Sequence, residues 1–225
     1  MIQDPVSMVT DVGPRSVLSA ATFGAGVVVV SLGDASVSRN FQAHYRQSPV
    51  LDFTNKWGEI NLALPLSAGV FGTSLMTNNT RFQDAAFTSL QSLLMANLTV
   101  NAGKFIFARE RPAHNEGPYD LDFLETGATS FPSGHTATAF ALVTPWLVYY
   151  PGPITYTLMA IPVGTAIARV AKGRHWLSDV TAGAGIGLAM GYYLSKKHLS
   201  FQSENIEVMP VAGDGNFALK INFSF

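Results

Sequence analysis

The chain of 225 residues contains no cysteine, which excludes disulfides, thiol catalysis and cysteine-ligated metals and leaves the redox compartment open. It is also poor in charge. Only 13% of its residues are charged, about half of the roughly 25% carried by an ordinary soluble domain. Neither sign is in excess: the net charge is −1, so no nucleic-acid partner is expected, since nucleic-acid phosphates call for a clear basic surplus. The opening stretch MIQDPVSMVTDVGPRS has no basic segment leading into an apolar one, so no signal peptide is read there. No carboxylate cluster suited to a metal stands out, and neither does an internal repeat or a low-complexity segment.

What the chain has in plenty is apolar surface, 48% of its residues. The charge-free runs cover 16–33, 60–80, 85–103, 136–168 and 180–195. Pro151-Gly152-Pro153 is a strong turn signal that divides the fourth run in two. The result is six apolar helical segments of about 16 to 20 residues, against roughly 20 for a membrane span and a lower limit near 17. The fold class expected is all-α: a six-helix bundle over residues 1–200, with its active site at one end. Residues 201–225 are expected to add a short C-terminal β-hairpin, not a separate domain, because two alternating stretches flank Gly213-Asp214-Gly215-Asn216. Gly183, Gly187 and Gly191 form overlapping G-x-x-x-G steps on one face of the last segment, a spacing that lets helices approach closely. A membrane-embedded bundle and a compact soluble or peripheral one are both open on this pattern. Span length and charge depletion favour the membrane.

The costly polar side chains gather at the ends of these segments. Lys104 and Arg111 lie seven apart, two helical turns, so a helix continuing up to Pro112 would present both on one face. Phe131-Pro132-Ser133-Gly134-His135 opens the fourth segment, where free backbone N–H groups and a glycine make a natural anion site. Arg169, His175 and Asp179 fall between the fifth and sixth segments, with the carboxylate one turn beyond the imidazole and able to orient it. If six helices alternate up and down, all three stretches emerge at the same end and Pro151-Gly152-Pro153 lies at the other. A phosphoryl group in its transition state has three equatorial oxygens that need positive charge. Lys104, Arg111 and Arg169 can supply it without Mg²⁺, one histidine can attack phosphorus, and the other can serve as acid and base.

K-x6-R-P, P-S-G-H and R-x5-H-x3-D, in this order, resemble the three signature motifs of the type 2 phosphatidic acid phosphatase superfamily. That superfamily includes membrane lipid phosphatases, bacterial nonspecific acid phosphatases, glucose-6-phosphatases and vanadium haloperoxidases. The resemblance implies that Lys104, Arg111, Arg169, Ser133 and the Gly134 amide bind phosphate. It further implies that His175 is the nucleophile, His135 the general acid and Asp179 the group that orients His175. No cofactor and no metal are implied. The implied substrate is a phosphorylated lipid, isoprenoid phosphate or small-molecule phosphate ester, handled at a bacterial-type inner membrane with a periplasm-facing site. The alternatives are a soluble or peripheral periplasmic phosphatase and, ranked lower, a vanadium haloperoxidase. One departure stands out: the third motif usually opens Ser-Arg, and here it reads Ala168-Arg169.

Off the motifs, Arg109, Lys172 and Arg174 read as solvated charge or support for the site, and His44 and His198 as surface residues. His114, Glu116, Asp120, Asp122 and Glu125 read as an exposed polar loop, or as a lid over the substrate. Trp57, Trp146 and Trp176 are candidates for interface belts, Trp176 also for a pocket wall.

Overall fold

The computed structural model describes residues 13–114, 117–124, 129–203, 206–213 and 216–223, without the side chains of 15, 16 and 201 onward. Glu116, Glu125, the Asp214-Gly215 turn and the N-terminal stretch before residue 13 lie outside the described residues.

Eight helices form the described bundle, not six. They are α1 (Pro14–Ser31), α2 (Asp34–Tyr45), α3 (Pro49–Lys56), α4 (Ile60–Ser74), α5 (Thr80–Phe107), α6 (Gly134–Tyr149), α7 (Pro153–Ala171, turning at 158–159) and α8 (Leu177–Ser203). Six of them are the six apolar segments. The two extra, α2 and α3, fill the charged interval between the first two runs. A search for charge-free runs passes over such helices, because a helix on the surface keeps its charges on an outer face while burying a narrow stripe. In α2 that stripe holds Asp34 and Ser38, one turn apart and both buried.

Helices α5 and α8 run past their apolar stretches to 28 and 27 residues. At 1.5 Å per residue each is about 40 Å long. Asn79 starts α5, its side-chain oxygen accepting the Phe82 N–H at 3.1 Å. Ala108 ends it in the left-handed conformation at φ 37, which costs a non-glycine residue about 1–2 kcal/mol. The helix therefore stops four residues short of Pro112, and Lys104 and Arg111 do not share a helical face as the spacing predicted.

The centre is α5, α6 and α8, packed through small residues. Ala96, Val100, Ala137 and Ala141 form a buried cluster with Ile186 and Met190 against it. The glycine face of α8 lies on α6: a Cβ on Gly183 would stand 2.4 Å from the Ser133 carbonyl oxygen, and one on Gly187 2.5 Å from that of Ala137. Close approach is what the G-x-x-x-G spacing serves here. At the far end Arg81 donates to the Tyr149 carbonyl, and its guanidinium lies 4.9 Å from the centre of the Tyr150 ring. The Pro151-Gly152-Pro153 turn is thus at the end opposite Lys104.

By length and composition α7 is the one described helix that could cross a membrane, joined by a second only if α1 and α2, bent by 61°, act as one broken span. Of the six apolar segments, α7 is thus the one that meets both criteria unaided. Where the hairpin is expected, Ile206–Gly213 and Asn216–Phe223 pair as antiparallel backbone strands.

Candidate active site

The site lies where α5 ends, α6 and α8 begin and α7 turns back. The α6 N-terminus is held from behind: the Ser133 N–H donates to the Asp179 carbonyl at 3.0 Å, and the first N–H bonded within the helix is that of Ala137. The amides of Gly134 and His135, in the first turn, have no intrahelical partner. A Cβ added to Gly134 would meet the Lys104 ammonium at 3.7 Å, so the cation sits directly over this amide turn. The Ser133 hydroxyl is fully buried and lies 3.0 Å from Thr136 Oγ1, either hydroxyl being able to donate.

Helix α7 delivers Arg169 from its last turn. Gly173, at φ 63, then reverses the chain so that the N–H groups of Arg174 and His175 both donate to the Arg169 carbonyl, at 3.0 and 3.3 Å. A Cβ at Gly173 would also meet Gln42 Oε1 at 2.7 Å. This turn drops His175 into the interior, 2% exposed. Its Nδ1 donates to the Ser130 carbonyl at 2.8 Å and lies 3.5 Å from Asp179 Oδ2. The nearer acceptor for the Nδ1 proton is thus the Ser130 carbonyl, with Asp179 beside it. The backbone carbonyl takes that hydrogen bond, and Asp179 acts as a nearby charge that also receives Ser130 Oγ at 2.5 Å and the Trp176 N–H at 2.8 Å. With Nδ1 occupied, Nε2 is the nitrogen left without a hydrogen bond among the described residues.

Three cations crowd the mouth. Burial first, then Arg111 and Arg169, hold Lys104 below its usual value. Burial and then Arg174 do the same to Arg111, with Asp179 and Glu110 opposing. Arg111 donates to Thr129 Oγ1 at 2.8 Å and Arg169 to Asn55 Oδ1 at 3.2 Å. The Nε of each is buried with no partner among the described residues. Buried guanidinium donors are normally satisfied, and two in one place, among like charges, fit an anion with several oxygens.

Both histidines are neutral in this setting. Burial lowers His175 from 6.5 to about 4, with Arg169 and Arg111 pushing the same way and Asp179 opposing. Burial and then Arg169, His175, Lys104 and Arg111 take His135 to about 3. For Asp179, burial works against the charged form, but the His175, Arg109 and Ser130 contacts more than offset it, so its carboxyl titrates below the usual range.

Arg109 is not solvated. It is 5% exposed and bridges two fully buried carboxylates, donating to Asp34 Oδ2 at 2.8 Å and Asp179 Oδ1 at 2.6 Å. It also donates to Ser178 Oγ at 2.7 Å and lies 5.7 Å from the centre of the Trp176 ring. Trp176 is buried and donates from Nε1 to the Glu110 carbonyl at 2.9 Å, so it walls the site. Lys172 pairs with Asp52 on the surface, and Arg174 is exposed. His44 is exposed, whereas His198 is half-buried against Phe87, with Nδ1 2.7 Å from Thr88 Oγ1, and so corrects its surface reading. No sequence motif marks Asp34, Asn55, Thr129 or Ser130. Nothing local marks a lone aspartate as the partner of an arginine 75 positions on.

A sequence model of the PAP2 superfamily matches residues 85–201. A lipid A 1-phosphatase of Porphyromonas gingivalis is 42% identical over 102 residues, which cover 43% of this chain and 20% of that protein. A lipid A 4'-phosphatase of the same organism is 29% identical over 122 residues, covering 51% of this chain and 50% of that protein. The chain thus spans a half or less of the curated relatives it matches. Among solved structures, the Bacillus subtilis transmembrane PAP2-type phosphatidylglycerolphosphate phosphatase superposes with TM-score 0.61 and 19% identity, over 80% of this chain and 96% of that one. Aquifex aeolicus LpxE does so with TM-score 0.55 and 21% identity, over 72% and 94%. At such identities these two speak for the fold alone.

Proposed function

The chain belongs to the PAP2 superfamily, and from that membership we propose that it is a metal-independent phosphatase of lipid phosphate monoesters, working through a phosphohistidine on His175 at the periplasmic face of a bacterial inner membrane. One observation carries the chemistry: Lys104, Arg111 and Arg169 converge on the α6 amide turn, with two buried guanidinium Nε donors that have no partner among the described residues. The names of the curated relatives, lipid A phosphatases, support a lipid substrate.

In the proposed reaction Nε2 of neutral His175 attacks phosphorus as the ester P–O bond breaks, and the cations and amides take the charge on the phosphoryl oxygens. The leaving alkoxide collects its proton from His135. Neutral in the free protein, His135 gains that proton as the incoming phosphate, doubly negative, offsets the cations around it. His135, now neutral, then removes a proton from water, whose oxygen attacks the phosphohistidine and releases inorganic phosphate and His175.

The test is turnover of a lipid phosphate and of p-nitrophenyl phosphate by the detergent-solubilised protein, with EDTA or vanadate added. Activity that survives EDTA, stops with vanadate and favours the lipid is expected. Loss on chelation with recovery on Mg²⁺ or Zn²⁺ overturns the metal-free mechanism. A clear preference for the soluble ester points instead to a phosphatase of soluble phosphomonoesters.

A further inference from the structure

A buried chain of charge runs from α2 to the nucleophile. Asp34, fully buried, accepts the Ser178 N–H at 2.8 Å, Ser178 Oγ at 2.5 Å and the Arg109 guanidinium at 2.8 Å. Through its other nitrogen the same guanidinium holds Asp179 at 2.6 Å. Arg109 Nε donates to the Pro118 carbonyl at 2.8 Å. One cation is thus shared between two carboxylates that water does not reach, and Asp179 stands 3.5 Å from His175. Packing alone gives no reason for this, since a buried ion pair is a poor source of stability compared with apolar groups of the same shape.

We propose that Asp34 and Arg109 are positioning residues that set how much negative charge Asp179 presents to His175, and through it the basicity of the nucleophile. The proposal rests on the assignment of His175 as the nucleophile. Asp34 draws part of the Arg109 charge away from Asp179, leaving the latter free to support the positive charge that grows on the imidazole as the N–P bond forms. The other charged groups around His175 are Arg169 from α7, Arg111 from the loop, His135 from α6 and Asp179 from α8, with Lys104 reaching the same site from α5. Of these only Asp179 is negative, so a change in its effective charge has no local substitute.

The sign of the effect differs between two variants. In Asp34→Asn the whole Arg109 charge falls on Asp179, His175 becomes less basic, and the acid limb of kcat/KM moves to lower pH, by about half a unit. kcat falls about 10-fold, in the range of coupling between groups in contact, with KM little changed. In Asp34→Asn/Arg109→Gln both charges go, Asp179 faces His175 unopposed, and the acid limb moves to higher pH. Titration of the substrate phosphate is common to all profiles and drops out of the comparison. Opposite shifts support the proposal; shifts of the same sign, or none, overturn it. If Asp34→Asn does not fold, the neutral pair decides alone, an upward shift supporting and an unmoved or lowered limb overturning. Trapping the phosphoenzyme of the wild type separates the two levels. Phosphate found elsewhere than His175 removes the underlying assignment, whereas phosphate on His175 with unmoved variant profiles removes the positioning role only.

Discussion

In the proposed reaction His175 and His135 differ in what each must hold at the start of turnover, and substitutions should tell them apart. His175→Ala is expected to abolish phosphoenzyme and turnover together, read by trapping with labelled substrate. His135→Ala is expected to cost an alkyl phosphate about 10²–10⁴-fold, the usual worth of a general acid, while costing p-nitrophenyl phosphate less, because p-nitrophenolate leaves with little need of a proton. Equal losses on both substrates would reverse the assignment of roles. The pH profile follows from the same environments. His175 titrates at about 4 instead of 6.5 because it is buried among arginines. The neutral, attacking form is therefore present above that value, and activity should fall as pH drops through it. His135 must carry a proton in the substrate complex, so kcat should fall again on the alkaline side, giving a bell in a pH titration of initial rates. The sequence displayed these residues through their motif spacing. It did not display Ser130 or Asn55, because a backbone carbonyl and a surface-type amide carry no spacing signal and join the site only when the chain folds.

Among the elements, the contact of α8 with α6 is the one on which the candidate site depends, since Gly183 lies against the carbonyl of Ser133, at the start of α6. Gly183→Ala puts a methyl 2.4 Å from a backbone oxygen that belongs to a helix start, where no rotamer can relieve it. A loss of about 1–3 kcal/mol, typical of overpacking, is expected as a lowered Tm, with reduced activity because the turn moves. Gly24→Ala in α1 is the contrast, because nothing lies within 4 Å of its Cβ. That change should be neutral or raise stability by about 0.5–1 kcal/mol through helix propensity. Equal effects from the two would show that glycine spacing does not govern the packing. Charge depletion made α1 and α4 to α8 legible. It concealed α2 and α3, whose charges are partly solvent-facing and partly, at Asp34, matched by Arg109.

For the molecule as a whole, the surface argues for a lipid setting more strongly than helix hydropathy does. Val28, Val29 and Leu32 at the end of α1 are 66, 67 and 76% exposed, a contiguous apolar patch of the kind that marks a membrane or partner surface. With α7 as a further candidate span, the protein is expected to sediment with membranes, resist alkaline carbonate and enter solution only with detergent. Recovery in the carbonate-soluble fraction would return the chain to a peripheral or soluble class.

The sequence by itself determined the helical bundle, its six apolar helices and the end of the bundle at which Lys104, Arg111, Arg169, His135 and His175 come together. These are encoded in local periodicity, turn residues and short motifs, each confined to a few neighbouring positions. Only the tertiary structure decided that α5 stops at Ala108, that His175 leans on the Ser130 carbonyl before Asp179, and that Arg109 is shared by two carboxylates. Each of those depends on which distant group fills the space beside a buried polar atom. Burial requires every such atom to find a partner, but no spacing along the chain says which one it finds.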